Sequence, residues 1–490
     1  MLFNSLAYAI CLPLVVLAYF AVPHRFRWMV LLVFSYYFYM SWNPELVVLI
    51  SFTTFVSWSA ALLVEKWNDR PALKKAALVI SVGLCLAVLF FFKYFNFVSE
   101  SVTAVCRLVG LPLTAPVLDL VLPVGISFYT FQTLSYVVDV YRGDLAAEHH
   151  FGIYALYVSF FPQLVAGPIE RAGNLLPQFR VKHSFSTART TEGLAKIGVG
   201  LFKKVVVADY VAPFVNAVYN DLGGCTGLTL IFATCMFAVQ IYCDFCGYSE
   251  IAVGSAKILG FDLMENFRSP YFARSIREFW RRWHISLSTW FSDYIYIPLG
   301  GSRCAKHRHL LNLIITFGFS GLWHGANWTF VLWGLYHGIL LCIESFYVRR
   351  LDAYQQSLQG TAKGKLLNVV RTGVTLVLAV FGWIFFRANN LEDLMYIFAN
   401  ITRGLNPLRL FHYAAALTMQ YYQIWLCLGL IALLAVYDGI QYYKGDPLVL
   451  MKKLPFAVRF VLYWACGCAI LLALMTRPVG AAADFIYFQF

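Results

Sequence analysis

The sequence predicts an all-α, polytopic membrane protein with about eleven to thirteen membrane-embedded helices. Three observations predict it. Of 490 residues, 60% are hydrophobic and 13% charged, where an average soluble domain has roughly 25% charged residues. Nearly charge-free stretches recur along the chain, and several reach the ~18 residues that a spanning helix needs. Lys and Arg gather in the connections between these stretches. That placement explains the net charge of +13 as a membrane topology signal, and no nucleic-acid partner is expected.

The apolar stretches run over 1–23, 28–44, 46–64, 76–92, 120–138, 151–169, 222–243, 310–343, 372–386, 410–437 and 460–476. The first has no basic n-region and no small-x-small site before Pro23, so it reads as the first helix, not a cleaved signal. The shorter stretches read as half-spans or tilted pieces. Residues 1–490 read as a single integral-membrane domain without a soluble domain, low-complexity tail or internal repeat. The missing repeat counts against a transporter, since many transporters carry related halves. Leu122–Tyr129 and Phe161–Pro168 place Pro and Gly inside apolar sequence. Broken backbone at membrane depth must be buried in protein or line a cavity, and the two segments together imply an internal polar chamber.

Basic clusters set the orientation. Arg25 and Arg27; Lys66, Arg70, Lys74 and Lys75; Arg303, Lys306 and Arg308; Arg349 and Arg350; and Lys452 and Lys453 all fall in connections. Placing them in the cytoplasm gives one consistent topology. In it 24–27, 65–75, 140–150, 303–309, 347–371 and 444–459 are inside, while 94–118 and both termini are outside.

The candidate site lies in Gly321-Leu-Trp-His-Gly-Ala-Asn327, within the 34-residue run Leu310–Ile343 that holds no Asp, Glu, Lys or Arg. As one helix this run would extend roughly 50 Å against a hydrocarbon core of about 30 Å, so it must break. Gly318, Ser320, Gly321, Gly325 and Asn327 permit the break and surround His324. An ionisable side chain at membrane depth is costly and is a functional candidate by default. Imidazole also titrates nearest neutrality, as a general base requires. A buried histidine bonded to a nearby carbonyl is the plain alternative.

The stretch 266–293 is rich in both arginine and aromatics. At helical spacing Arg277, Arg281, His284 and Ser288 fall along one face, beside Ile276, Phe279, Trp280, Trp283 and Leu287. Ser275 followed by Glu278 is a capping-box pattern. An interfacial helix touching lipid phosphates fits these residues. So does a site where Arg277, Arg281 and Arg282 hold a phosphate-bearing acyl donor such as coenzyme A. Asp244 and Glu250 lie in otherwise apolar sequence; Asp244 is a candidate for substrate or donor binding, and pairing with Lys257 or an arginine of 268–282 is the structural alternative. The twelve cysteines are scattered. Cys243/Cys246 and Cys466/Cys468 have no second ligand pair nearby, so small residues in packed helices are expected and no metal site is assigned.

Together these segments resemble the membrane-bound O-acyltransferase family, in particular its bacterial polysaccharide O-acetylation branch. The resemblance is carried by LPVGISFYTFQTLSYVVDVYRG at 122–143, FFPQLVAGPIER at 160–171 and DFCGYSEIAVGSAKILGF at 244–261. It continues through SPYFARSIREFWRRWHISLSTWFSDYIYIPLGGSR at 269–303, GLWHGANWTFVLWGLYHG at 321–338 and the terminal 485–490. Close relatives often carry Ser and Asp where this chain has Cys246 and Glu250. The resemblance implies a ring of tilted helices around a central chamber, with His324 as the catalytic histidine and His284 as the second polar residue. It implies a multi-pass protein of a bacterial inner membrane that O-acetylates an exported polysaccharide such as alginate. Transfer would be direct or through an extracytoplasmic SGNH-like acetyltransferase partner, alongside export machinery and membrane lipid. The donor would be acetyl-CoA or another acetyl thioester, with no bound cofactor. A neutral imidazole can deprotonate the attacking hydroxyl and return the proton to the leaving thiolate. Asn327, the Trp323 indole N–H or backbone N–H groups would serve the oxyanion. A D-alanyl, lipid or protein acyltransferase of the same fold is the alternative.

Overall fold

The computed structural model describes residues 1–112, 114–164, 167–406, 421–476 and 485–486. Residues 410–420 of one apolar stretch, 165–166 of the 160–171 motif and 487–490 of the terminal hexapeptide lie outside the described residues. Every regular element among the described residues is helical. Among the described residues seven helices are long and apolar enough to cross a membrane: Pro44–Lys66, Pro71–Leu108, Gly227–Leu259, Trp328–Ser357, Ala362–Arg387, Tyr422–Lys444 and Phe456–Met475. The protein is a multi-pass membrane protein. Apolar runs outnumber these long spans because several fold as shorter helices, such as Leu6–Ala21, His24–Met40, Ile126–Arg142 and Phe151–Ser159.

Local chemistry sets the boundaries. Ser5, Thr361 and Asn390 each accept a first-turn peptide N–H from Tyr8, Gly364 and Asp393, which satisfies donors that helix ends leave open. Pro71 and Pro447 stand at the first helical position, where no N–H is needed. The connection 94–118 is partly helical. The span continues through a wide turn at Phe90–Tyr94 into the amphipathic helix Phe95–Leu108. In Phe456–Met475 only Ile470 is buried, and Phe460, Val461, Trp464, Leu471 and Leu472 are exposed. Water would not tolerate so continuous an apolar face; lipid does.

The chain divides into two compact units. The first comprises Met1–Ile197 and Ser249–Met264. Tyr8 donates to Ser255 Oγ at 2.7 Å, and the hydroxyls of Ser57 and Tyr154 pair at 2.7 Å. Gly193 and Gly254 bring two helices together so closely that a Cβ on either would stand 2.6 Å from the other's carbonyl oxygen. The interruptions at 122–129 and 161–164 meet here. Gly125, at φ 74°, faces the Leu164 carbonyl, where a Cβ would meet the oxygen at 2.6 Å. Packing of Gly125 on the Leu164 carbonyl is one of the two settings in which broken backbone is tolerated at membrane depth.

The second unit comprises Gly198–Tyr248 and Glu265–Phe490. Its centre is the helix hairpin Lys306–His324 and Trp328–Ser357. A Cβ on Gly321 would lie 2.2 Å from the Phe330 carbonyl oxygen, and one on Gly334 2.1 Å from that of Phe317. Small residues let such backbones approach where apolar burial gives no driving force.

Candidate active site

The charge-free run does break, and it breaks at His324. The first helix ends on His324, Gly325 is extended at φ −161°, and the second helix starts at Trp328. Gly318 and Ser320, expected to help, remain inside the first helix. Gly325 is required for a different reason: a Cβ there would enter the Phe330 ring at 2.2 Å. His324 is 3% exposed. Its ring lies 4.9 Å from Trp333, 5.0 Å from Trp323 and 5.3 Å from Phe386 between centroids.

His284 comes from the arginine-rich segment and is fully buried. Its ring centroid is 6.3 Å from that of His324, 6.0 Å from Trp323 and 4.5 Å from Phe245. The expected single helix face through Arg277, Arg281, His284 and Ser288 does not form. Helix Ile276–Trp280 stops, His284 takes φ 43° and ψ 55°, and a second helix covers Ile285–Phe291. Asn266 enforces the change. Its carbonyl and Oδ1 accept from the N–H groups of Ile285 and Ser286 at 3.0 and 3.3 Å. Nearby, the Arg268 N–H donates to the Arg282 carbonyl at 3.0 Å. A left-handed conformation costs a non-glycine residue about 1–3 kcal/mol and is kept only where its surroundings dictate it.

Ser275 does cap its helix, accepting from the Glu278 N–H at 3.1 Å. The Glu278 carboxylate reaches one residue further back than a capping box requires, to the Arg274 N–H at 2.9 Å. Glu344, buried in helix Trp328–Ser357, accepts from the N–H groups of Ile276 at 2.7 Å and Arg277 at 3.2 Å. The segment bearing His284 is thus fixed at its start by a carboxylate from another helix.

The three arginines expected to bind a donor differ in their surroundings. Arg282 is committed to Glu278 at 3.0 Å and lies 4.5 Å over the Tyr442 ring. Arg277 is half-buried and Arg281 exposed. Burial by itself would raise the Glu278 carboxyl. The Arg274 N–H and the Arg274 and Arg282 guanidinium groups outweigh it and hold the group below its ordinary 4.5.

Asn327 and Asp244 both have bonded partners in the structure. Asn327 is occupied as a helix cap, accepting from the Thr329 N–H at 3.0 Å and donating to the Asn389 carbonyl at 2.9 Å. Asp244 pairs with Lys204 at 2.6 Å, not with Lys257 or an arginine of 268–282. Lys204 also binds Asp209 at 2.9 Å, the Ile486 N–H donates to Asp244 at 2.7 Å, and Lys257 binds Glu192 at 2.6 Å. Asp244 thus belongs to a buried ion triad. All twelve cysteines are free thiols.

Sequence reasoning named Trp280 only as an apolar neighbour and did not single out His337, Trp333, Trp383 and Phe386. His337 lies 5.1 Å from both Trp280 and Trp333, and Trp333 in turn packs against His324. The signal was present. His337 is the second histidine in the charge-free run, four positions after Trp333 and so on the same helix face.

The fold defines a polytopic membrane protein, and comparison with known proteins fixes its kind. The membrane-bound O-acyltransferase family model matches residues 145–372. The chain is 38% identical over 382 residues to the probable alginate O-acetylase AlgI of Pseudomonas aeruginosa, covering 78% of this chain and 71% of that protein. It is 39% identical over 381 residues to the protein of the same name from Azotobacter vinelandii, covering 78% and 74%. It is 32% identical over 411 residues to the peptidoglycan O-acetyltransferase of Helicobacter pylori, covering 79% and 75%. The chain belongs to the membrane-bound O-acyltransferase family. It is an O-acyltransferase.

Proposed function

We propose that the protein moves an acetyl group from a cytoplasmic thioester, acetyl-CoA in the simplest case, to a hydroxyl of an exported polysaccharide such as alginate. His324 is the general base in this reading. It takes the proton of the attacking hydroxyl as the C–O bond forms, then returns it to the thiolate as the C–S bond breaks. His284 faces it as the second polar group, and the Trp323 indole N–H is the side-chain candidate for the oxyanion. Arg281 and Arg277 are the better candidates for a phosphate-bearing donor, because Arg282 already has its carboxylate. Asp244 and Asn327 act structurally.

The observation that carries the reading is the meeting of two buried histidines, 6.3 Å apart, at the point where an apolar helix breaks. Acetyl is favoured as the transferred group by two facts. The alginate and peptidoglycan relatives are named for O-acetylation, and three large rings crowd His324 within 5.3 Å. The basic clusters support placing both termini outside a bacterial inner membrane, with donor entry from the cytoplasm. An extracytoplasmic SGNH-like acetyltransferase could complete the transfer beside the export machinery.

The test is His324→Ala, scored for insertion and for acetyl content of the exported polymer. The variant is expected to insert normally and to lose acetylation by about 10²–10⁴-fold or more. Near-normal acetylation overturns the assignment.

A further inference from the structure

We propose that Asn327, Asn389 and Arg387 form a clasp that positions the His324 ring. The inference rests on His324 being the base. It assigns these three residues no contact with substrate.

Asn327 makes two bonds with different purposes. Its Oδ1 caps helix Trp328–Ser357 through the Thr329 N–H at 3.0 Å. Capping needs nothing more. Its Nδ2 nevertheless donates to the main-chain carbonyl of Asn389 at 2.9 Å, just beyond the end of helix Ala362–Arg387. Asn389 is itself held on two sides. Its Oδ1 accepts from Arg387 Nη1 at 3.0 Å, and its Nδ2 donates to the Tyr219 carbonyl at 2.9 Å and to Asp393 Oδ2 at 3.0 Å. Arg387, only 7% exposed, sends Nη2 to Asn216 Oδ1 at 3.0 Å and lies 5.1 Å over the Tyr219 ring. A planar fork suits this double duty, binding two oxygens at once and stacking on a ring.

These bonds act on His324 from two directions. Only Gly325 and Ala326 separate His324 from Asn327, and Gly325 is pinned against Phe330. Where Asn327 is held therefore fixes how the last residue of the preceding helix points. Next to Arg387, Phe386 rests 5.3 Å from His324, 4.8 Å from Phe330 and 5.2 Å from Trp333. One polar cluster thus fixes both the break after His324 and the ring against which His324 lies. Misplacing a catalytic group by about 1 Å can cost on the order of 10²-fold in rate.

The experiment compares Asn327→Ser, Arg387→Met, the double variant, Arg387→Lys and His324→Ala in cells fed labelled acetate. It reads the initial rate of polymer acetylation per inserted molecule and the unfolding midpoint of the purified protein. Serine keeps the cap oxygen but is too short to reach the Asn389 carbonyl. The clasp predicts that Asn327→Ser and Arg387→Met each lower the rate about tenfold or more, with the Asn327→Ser midpoint moving by less than about 4 °C. The double variant should be no slower than the slower single one, because both changes open the same chain. Arg387→Lys should recover part of the loss by reaching one of the two oxygens. If Arg387→Met does not accumulate, Asn216→Ala opens the far end of the clasp in its place. A wild-type rate for Asn327→Ser beside an inactive His324→Ala overturns the clasp alone, as does simple multiplication of the two single effects. Acetylation by His324→Ala overturns the catalytic reading instead.

Discussion

The rings of His284 and His324 lie 6.3 Å apart in an aromatic shell, although forty positions separate them in the chain. Two imidazolium charges at about 6 Å would repel by roughly 3 kcal/mol at an effective dielectric of 20. When His324 takes a proton, a neutral His284 is therefore the better neighbour. His284→Gln keeps a neutral polar group at that place and is expected to retain part of the acetylation rate. His284→Ala should lose more, and His284→Arg, with its fixed charge, should lose most. Initial rates of polymer acetylation rank the three, and equal rates across the series would remove His284 from the reaction.

The hairpin that carries His324 makes a second prediction. A methyl group on Gly321 or Gly334 would stand 2.2 or 2.1 Å from a backbone carbonyl oxygen, and neither carbonyl can yield without moving its helix. Gly321→Ala and Gly334→Ala are each expected to destabilise by about 1–3 kcal/mol or more. Gly318→Ala is the control, since its methyl would meet only Leu335 at 3.8 Å. Inserted yield and unfolding midpoint should fall for the first two and hold for the third.

The break at His324 was legible in the sequence because length alone demanded it. The capping of Ile276–Trp280 by Ser275 was legible because it needs only four consecutive residues. Helical periodicity failed across 277–288 because Asn266, outside the window, bonds the peptides of Ile285 and Ser286 and turns His284 left-handed. The partner of Asp244 was missed for a related reason. Lys204 sits forty positions earlier, and a lone charge pattern cannot say which cation the helices will bring to it. His337 needed only the rule already applied to His324.

The Lys204 triad predicts an asymmetry. Its side chains are 1–6% exposed, with Lys204 between Asp209 and Asp244. Lys204→Met leaves two buried carboxylates facing one another and is expected to cost about 3–5 kcal/mol. The triple variant Lys204→Met, Asp209→Asn, Asp244→Asn removes the charges together and should recover most of that loss. Unfolding midpoints of the purified variants compare the two. A triple variant as unstable as the single one would mean that the lysine stem's packing matters more than its charge.

The last prediction is one of pH. The Glu278 carboxyl is half-buried, which raises its pKa. The Arg274 N–H and the guanidinium groups of Arg274 and Arg282 more than offset this, leaving it below the ordinary 4.5. A carboxyl whose folded pKa is depressed binds protons less readily when folded than when unfolded. Its contribution to stability is therefore fully present above the ordinary carboxylate pKa and is lost as pH falls through the folded one. The difference in unfolding midpoint between wild type and Glu278→Gln should then be constant from neutrality down to about pH 5. Below that it should shrink until both proteins carry an uncharged group at this position. Arg282→Gln removes the carboxylate's nearer guanidinium and should move the shrinkage to higher pH. A wild-type advantage that persists unchanged into strong acid would mean that Glu278 stabilises its segment by packing and not by charge.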